Sequence, residues 1–338
     1  MKPTILITGG AGYIGSHAAY CMVQQGYKVV IVDKLVHGQK WPHAWAQCIV
    51  ADFAETEVLS TIFKENKVEA VMHFAAYAQV GQSVKEPLTY YDNNVCKTIT
   101  LIQSMLEHNV KKIIFSSSCA VYGIPQSLPL VEDHPCHPIN PYGATKYMVE
   151  RILEDCRRSD DLEYVCLRYF NAAGGLPELG LGEQHVPETH LIPLLFQAAV
   201  NNTPFTLLGN DHDTFDGSCI RDFLHVVDIA QAHWLALKHL NNGLPSDIFN
   251  LGTGTGFSVK QVLATAEQVC KTKIPVTYAP KREGDPAVLV ANASRARDIL
   301  GWNPICSSLE FILKSAYFPL INPVHASDEQ VSIGYRLG

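Results

Sequence analysis

A doubly wound parallel α/β sheet of Rossmann type, followed by a smaller C-terminal α/β portion, is the fold class this sequence predicts. Three observations lead there. A glycine-rich turn follows the first apolar segment directly, an acidic residue closes the second, and short apolar runs alternate with amphipathic stretches over the first 170 residues.

The first strand, Thr4–Thr8, runs into Thr8-Gly9-Gly10-Ala11-Gly12-Tyr13-Ile14-Gly15. Gly9 permits the tight turn out of the strand, Gly12 lets backbone amides approach a pyrophosphate, and Gly15 lets the helix pack closely on the sheet. The helix N-terminus then faces the phosphates. Lys28–Asp33 is an apolar run of buried parallel type, and its terminal carboxylate, 18 residues after Gly15, is placed to accept both ribose hydroxyls. That favours NAD over NADP. Strands are next expected at Cys48–Asp52, Ala70–Ala75, Lys112–Ser117 and Tyr164–Phe170, with helices near Glu55–Asn66, Asn93–His108 and Tyr142–Arg158.

From Asn171 the texture changes to a Gly/Pro-rich crossing that runs to about Pro187, which sets the expected boundary. Residues 1–170 form the dinucleotide-binding domain and 171–338 a cap with segments returning to the first domain. Helical patterns occupy Thr189–Asn201, Val227–His239, Ser258–Lys271 and Ser307–Ala316, with brief strands at Phe205–Leu208 and Ile248–Leu251. Phe318–Gly338 has little periodicity and reads as surface-bound or loose.

The 338 residues are 47% hydrophobic and 17% charged, enough for one large core or two domains sharing an interface. A net charge of -7 argues against nucleic acid as a partner, while leaving room for a small basic pocket holding a phosphorylated metabolite. The ten cysteines form no C-x-x-C pair, so they read as reduced, mostly buried thiols, and no metal is expected. His134-Pro-Cys-His137 lacks a second ligand pair and reads as a loop with surface histidines. Met1-Lys-Pro enters a strand without a leader pattern, and no long apolar run suggests a membrane span, so a cytoplasmic protein is expected.

Asn140-Pro141 suits a helix start, which places Tyr142 and Lys146 on one helical face. At that spacing the ammonium can stabilise a phenolate and draw its pKa down from about 10, making Tyr142 a credible general base. Val149, Ile152, Leu153 and Cys156 form a separate core stripe. Lys112–Ser118 ends at a carboxyl sheet edge, where open parallel sheets place their chemistry, and Ser118 can hydrogen-bond a reacting hydroxyl. One or two of Ser116–Ser118 simply terminate the strand. Cys119 has no indicated histidine partner and reads as structural.

With TGGAGYIG at 8–15, SSSCAVYG at 116–123 and PYGATK at 141–146, the chain resembles the extended short-chain dehydrogenase/reductase family over nearly its whole length. The runs HFAA at 73–76, YYDNNV at 90–95, LRYFNAAG at 167–174, ETHLIP at 188–193, DGSCIRDFLHV at 216–226 and REGDP at 282–286 resemble its nucleotide-sugar epimerase subgroup. The resemblance implies that Ser118, Tyr142 and Lys146 are catalytic. It implies an NAD site lined by Gly9, Gly12, Tyr13, Ile14, Gly15, Asp33, Asp52, Phe53, Phe74, Ala75, Ala76, Asn93, Tyr142, Lys146 and Tyr169. It also places Ser118, Tyr142, Asn171, His190, Leu191, Thr206, Leu208, Arg221, Arg282 and Asp285 around a UDP-hexose, with Leu289 beside the C2 substituent. Guanidinium forks independently suit a pyrophosphate.

The implied activity is interconversion of UDP-glucose and UDP-galactose by oxidation at C4, rotation of the 4-keto sugar and re-reduction. A homodimer through helices near 93–108 and 142–158 is implied as well. A UDP-pentose 4-epimerase, decarboxylase or 4,6-dehydratase of the same family is the alternative enzyme reading, but Cys119 and Ala120 stand where the dehydratase carries an acidic pair. An NAD-sensing scaffold is the non-enzymatic alternative, and the intact triad speaks against it. Ala78 and Phe223 depart from the family pattern, so a polar contact is expected to be lost at each.

Overall fold

The computed structural model describes residues 2–36, 43–282 and 285–321. Its first six strands are β1 (Thr4–Thr8), β2 (Lys28–Asp33), β3 (Gln47–Val50), β4 (Val68–His73), β5 (Lys112–Ser118) and β6 (Glu163–Tyr169). The helices between and after them are α1 (Tyr13–Gln24), α2 (Thr56–Glu65), α3 (Val80–Lys85), α4 (Pro87–Tyr91), α5 (Lys97–Glu107) and α6 (Pro141–Asp160). The later half adds β7 (Asn171–Ala173), α7 (Leu191–Asn201), β8 (Phe205–Leu208), β9 (Ile220–His225), α8 (Val226–Asn241) and β10 (Asp247–Leu251). It continues with β11 (Gly256–Ser258), α9 (Val259–Cys270), β12 (Val276–Ala279), β13 (Val288–Leu289) and α10 (Leu309–Ile321).

The seven-stranded sheet has the order β10-β6-β5-β4-β1-β2-β3, and its strands are all parallel. Its central strands are apolar on both faces because both faces are covered. Ile5, Ile7, Ile31, Met72 and Ile114 pack with Ala19 and Met22 of α1 and with Leu237 and Leu240 of α8. Leu6, Val30, Val71, Ile113 and Phe115 pack with Leu59 of α2, Leu101 and Met105 of α5, and Val149 and Leu153 of α6. The strand order reverses between β1 and β4, and the carboxyl ends there are where such sheets bind ligands.

Several sequence expectations shift. Ile248–Leu251, read as a brief strand of the second half, is the far edge of the main sheet, paired in register with β6. The helix expected from Asn93 opens with a π-helical turn, Asp92–Cys96, before α5. Strand β5 keeps its register through Ser118, so all three serines are strand residues. His134 is not a surface histidine: it is buried, and its Nε2 accepts from the Gln126 amide at 3.0 Å. The last helix continues to Ile321, past the expected end at Ala316, and the remainder of Phe318–Gly338 lies outside the described residues. Strand β9 went unanticipated; it is buried between β11 and β13 and also carries β7.

Candidate active site

The turn after β1 is built by exclusion of side chains. Gly9 has φ +70°, and a Cβ there would sit 2.5 Å from the Ala75 amide nitrogen. A Cβ on Gly15 would meet the Gly9 carbonyl oxygen at 2.2 Å, so the first turn of α1 lies directly on the loop. Gly12 is the N-cap of α1, and neither a capping side chain nor an acid in the first turn occupies the helix end. Its first amides are therefore left to a ligand, in the dipole environment that favours an anion.

Asp33 ends β2 beside that loop, accepting from the Ala11 amide at 3.1 Å and the Leu35 amide at 2.9 Å. These two bonds leave carboxylate lone pairs for ribose hydroxyls. Asp52 pairs with Lys34 at 2.5 Å and Lys97 at 2.6 Å. Burial alone would raise its pKa, but the two ammonium groups outweigh burial and hold it below the usual range. Phe53 is buried beneath Asp52, with its ring 5.1 Å from that of His73. The amides of Phe74 and Ala75 both donate to the Thr8 carbonyl, which continues the β1–β4 junction under the loop. Ala76 follows them, partly buried. The Phe74 ring packs on His233 at 4.5 Å, and Asn93 is buried, donating to Asn94 at 3.0 Å.

Tyr13 differs from a simple cofactor contact. Its phenol donates to the Gly174 carbonyl at 2.7 Å, so the side chain ties α1 to the crossing into the second half. The main-chain amides of Tyr13 and Ile14 lie in the first turn of α1, where a helix favours an anion.

The reactive side chains meet at the carboxyl end of β5. Asn140 caps α6, accepting from the Gly143 amide at 2.8 Å with Pro141 in the first turn, as the sequence indicates. A Cβ on Gly143 would lie 2.4 Å from the Ala120 carbonyl, so this glycine lets α6 seat against the turn that follows Ser118. Ser118 is buried, its hydroxyl accepts from the Ala120 amide at 3.2 Å, and it acts as a hydrogen-bond partner of the Tyr142 phenol. Lys146 is buried on the same helical face, with Nζ 5.9 Å from the centre of the Tyr142 ring. It donates to the Ser116 carbonyl at 2.7 Å.

One electrostatic expectation is corrected. Burial pushes the Tyr142 phenol well above its ordinary value, and the Ser118 hydrogen bond only partly offsets this. Lys146 does not draw the phenol down in the protein by itself. Burial instead lowers Lys146 to about 7, against an opposing pull from Glu150. Cys119 behaves as read: burial raises its thiol to about 12, an inert value for a nucleophile.

The NAD dependent epimerase/dehydratase family model matches residues 5–252, which spans the sheet, the triad and α8. The chain belongs to that family. A UDP-glucose 4-epimerase of Halalkalibacterium halodurans is 47% identical over 314 residues, covering 93% of this chain and 94% of its own. Among solved structures, a UDP-glucose 4-epimerase from Brucella ovis in complex with NAD superposes with a TM-score of 0.90 at 40% identity, covering 93% of this chain and 97% of that one. A Bifidobacterium longum UDP-glucose 4-epimerase in complex with NAD+ and UDP gives 0.87 at 36% identity, covering 95% and 99%.

As a member of the NAD dependent epimerase/dehydratase family, the chain has a loop that fits its dinucleotide. The Gly9–Ala75 and Gly15–Gly9 approaches pack the loop main chain directly on the end of β4 and on α1, and Asp33 binds the same loop through the Ala11 amide. The remaining candidate residues come from the second half. Arg221, buried on β9, binds Asp285 at 2.5 Å, and its charge reaches Cys119, next to Ser118. Leu289 pairs with Arg221 in register and packs with Cys119 and Tyr147 against Tyr122 and Phe170. Arg282 is exposed, and its charge is felt at His190. Asn171 opens β7, and Leu191 opens α7 with His190 as its N-cap. Thr206 and Leu208 lie on β8, where the Thr206 hydroxyl is exposed and meets Thr277 at 3.2 Å. The Tyr169 hydroxyl hydrogen-bonds Ser116 on the neighbouring strand.

Supporting residues escaped the sequence reading. His73 bridges Thr8 at 2.6 Å and Thr98 at 2.9 Å, and burial followed by the nearby Lys146 charge lowers it to about 3, so it is a neutral strut. Asn94 holds the Tyr77 backbone at both ends and reaches Thr145 at 3.1 Å. Arg168 pairs with Glu150 at 2.6 Å, and Glu150 accepts from Ser117 at 2.5 Å, which locks α6 to β5. The repeated asparagines of YYDNNV were a visible signal for Asn94; the Arg168–Glu150 pair, 18 positions apart, had none.

Proposed function

We propose that this chain interconverts UDP-glucose and UDP-galactose by inverting C4 of the hexose. The observation that carries the reading is the convergence of Ser118, Tyr142 and Lys146 beside the dinucleotide loop, facing the Arg221–Asp285 pair. NAD, when bound, supplies the hydride acceptor and the returning donor at C4, and in its oxidised form a positive charge near the phenol. Tyr142 takes the C4 hydroxyl proton as the carbonyl forms and gives it back when the ketone is reduced from the other face. Ser118 orients that hydroxyl and favours the ionised phenol, while Lys146 fixes the ribose side of the site from its buried anchor on Ser116. Arg221 and Arg282 hold the diphosphate by bidentate hydrogen bonds, and Asp285 accepts from the uridine ribose. Binding energy is thus concentrated on UDP, far from C4, and the sugar is free to turn. Leu289, of intermediate bulk beside Cys119, limits room at C2 and favours the unsubstituted hexoses over the N-acetylated pair.

The proposed protein is a cytoplasmic homodimer. Exposed Leu88, Ile99 and Met148 on α4, α5 and α6 support pairing through those helices. No helix among the described residues is long and apolar enough to cross a membrane. The test is proton NMR of UDP-galactose with purified protein and no added cofactor. A UDP-glucose anomeric signal should grow in, and the nucleotide released on denaturation should be NAD. Absence of conversion by protein that carries NAD overturns the reading, and released NADP overturns the assignment of Asp33.

A further inference from the structure

Outside the catalytic centre, the crossing between the two halves gathers Glu183, His185, Glu188 and His190 within one eight-residue loop, all partly buried. Their ligating atoms lie within 4.8 Å of one another. His190 Nδ1 stands 2.8 Å from Glu188 Oε1 and 3.0 Å from Glu183 Oε1. His185 Nδ1 faces the same two carboxylates at 3.5 and 3.7 Å, longer than ordinary hydrogen bonds, and the two imidazoles are 4.7 Å apart.

The four side chains converge on one point, with ligating atoms close enough to share a centre. A tetrahedral zinc ion with bonds of about 2.0–2.2 Å sets its ligand atoms about 3.3–3.6 Å apart; the His185 distances, 3.5 Å to Glu183 and 3.7 Å to Glu188 Oε2, lie near that spacing, while His190 sits at hydrogen-bond distance, 2.8–3.0 Å, and would move out by about half an ångström on an ion. Charge gives a second, independent reason. The Glu183 and Glu188 side chains are only 9% and 6% exposed, and among the described residues their ion-pair partners are these two imidazoles and no lysine or arginine. Glu188 Oε1 also accepts from the Thr189 and His190 amides at 2.7 and 2.8 Å, but amides carry no net charge, so unless both imidazoles are protonated the desolvated cluster keeps a negative charge, which a divalent cation cancels.

We propose that Glu183, His185, Glu188 and His190 bind one divalent transition-metal ion of zinc type, through two imidazole Nδ1 atoms and two carboxylate oxygens. The all-N/O set with two imidazoles suits Zn2+ over Mg2+ or Ca2+, which take oxygen ligands. Binding through Nδ1 fixes the His190 tautomer with the proton on Nε2, leaving a rigid donor. If the function proposed above holds, that donor is available to the UDP-sugar, but the metal site itself does not depend on that reading. The cysteine and His-x-x-His spacings behind the expectation of no metal do not include the Glu-x-His-x-x-Glu-x-His run at 183–190.

The test uses purified full-length protein freed of metal by chelation, titrated with Zn2+ against a chromophoric chelator. One equivalent should bind, and Glu183→Gln with Glu188→Gln should weaken binding by at least about a hundredfold, since even outer-shell changes cost about 10–100-fold. Circular dichroism of parent and variant in chelator controls for folding. His212, Cys219 and Asp285 form another cluster of possible ligands, so Co2+ loading of the parent separates the two sites. Tetrahedral visible bands without thiolate charge transfer, unchanged in Cys219→Ser, support the loop. Thiolate charge transfer, zinc lost in Cys219→Ser, or parental affinity in the double glutamine variant each overturns it. Because binding is read without turnover, failure here is distinct from failure of the proposed reaction.

Discussion

At the residue scale, Tyr142 and Lys146 are a buried pair pushed in opposite directions, the phenol upward and the ammonium down to about 7. Neither group is ionised cheaply in the protein alone, so the proposed role of Tyr142 as a base calls for a further positive charge, such as an oxidised nicotinamide would supply. Tyr142→Phe keeps the ring and removes the proton acceptor. Turnover should fall at least about a hundredfold, as for loss of a general base, with NAD content unchanged. Epimerisation near the parental rate would place the acceptor elsewhere. Lys146 also gives stability a sign with pH. Its folded value, about 7, lies below its ordinary 10.5, so the unfolded chain binds more protons between those values and stability rises with pH across that window. Denaturation midpoints of NAD-free protein from pH 6.5 to 9 should climb, and Lys146→Met should flatten the slope. Equal slopes in the two proteins would mean that Lys146 keeps its ordinary pKa.

Among the elements, α6 decides the geometry of the site. Asn140 sets where it begins, Gly143 how closely it approaches Ala120, and the Arg168–Glu150 pair how it is turned against β5 and β6. That pair is almost fully buried, with side chains 4% and 2% exposed, and Arg168 further donates to the Tyr122 hydroxyl at 3.0 Å. Such a pair adds little net stability but holds one arrangement, and removing one partner strands the other charge. Gly143→Ala would place a Cβ against main chain, which cannot give way as a flexible side chain can. The helix should lift and carry Tyr142 away from Ser118. A displacement of about 1 Å costs up to about a hundredfold in rate, so kcat should drop while the thermal midpoint moves little. An unaltered kcat would show that the contact does not position the phenol.

For the molecule as a whole, the second half is part of the first. Helix α8 covers α1, with Ala230 packed beside Ala18 and Cys21, and β10 completes the sheet against β6. The Trp302 indole, fully buried, donates to the Asp228 carbonyl at 2.8 Å, while the Asp228 carboxylate accepts from Ser307 and the Cys306 amide. A fragment ending at residue 175 therefore loses an edge strand and α8, which shares with α1 the cover of one sheet face. It should lack a cooperative unfolding transition and bind hydrophobic dye. Cooperative melting by that fragment would mean that the first half carries its own complete core.

Local chemistry was legible in the sequence wherever neighbours in the chain are neighbours in space. The glycine turn, the strand-ending Asp33, the Asn140 cap and the Tyr142–Lys146 face are all of this kind, because a turn or a helical repeat fixes their relation within a few residues. The placement of β10 in the main sheet and the Arg221–Asp285 pair, 64 positions apart, depended on packing between distant segments, and no periodicity reports that. Ionisation was decided there too. Spacing put Lys146 near Tyr142 and predicted a lowered phenol, but how many apolar atoms crowd around both groups is a property of the folded interior, and desolvation outweighed the neighbouring charge.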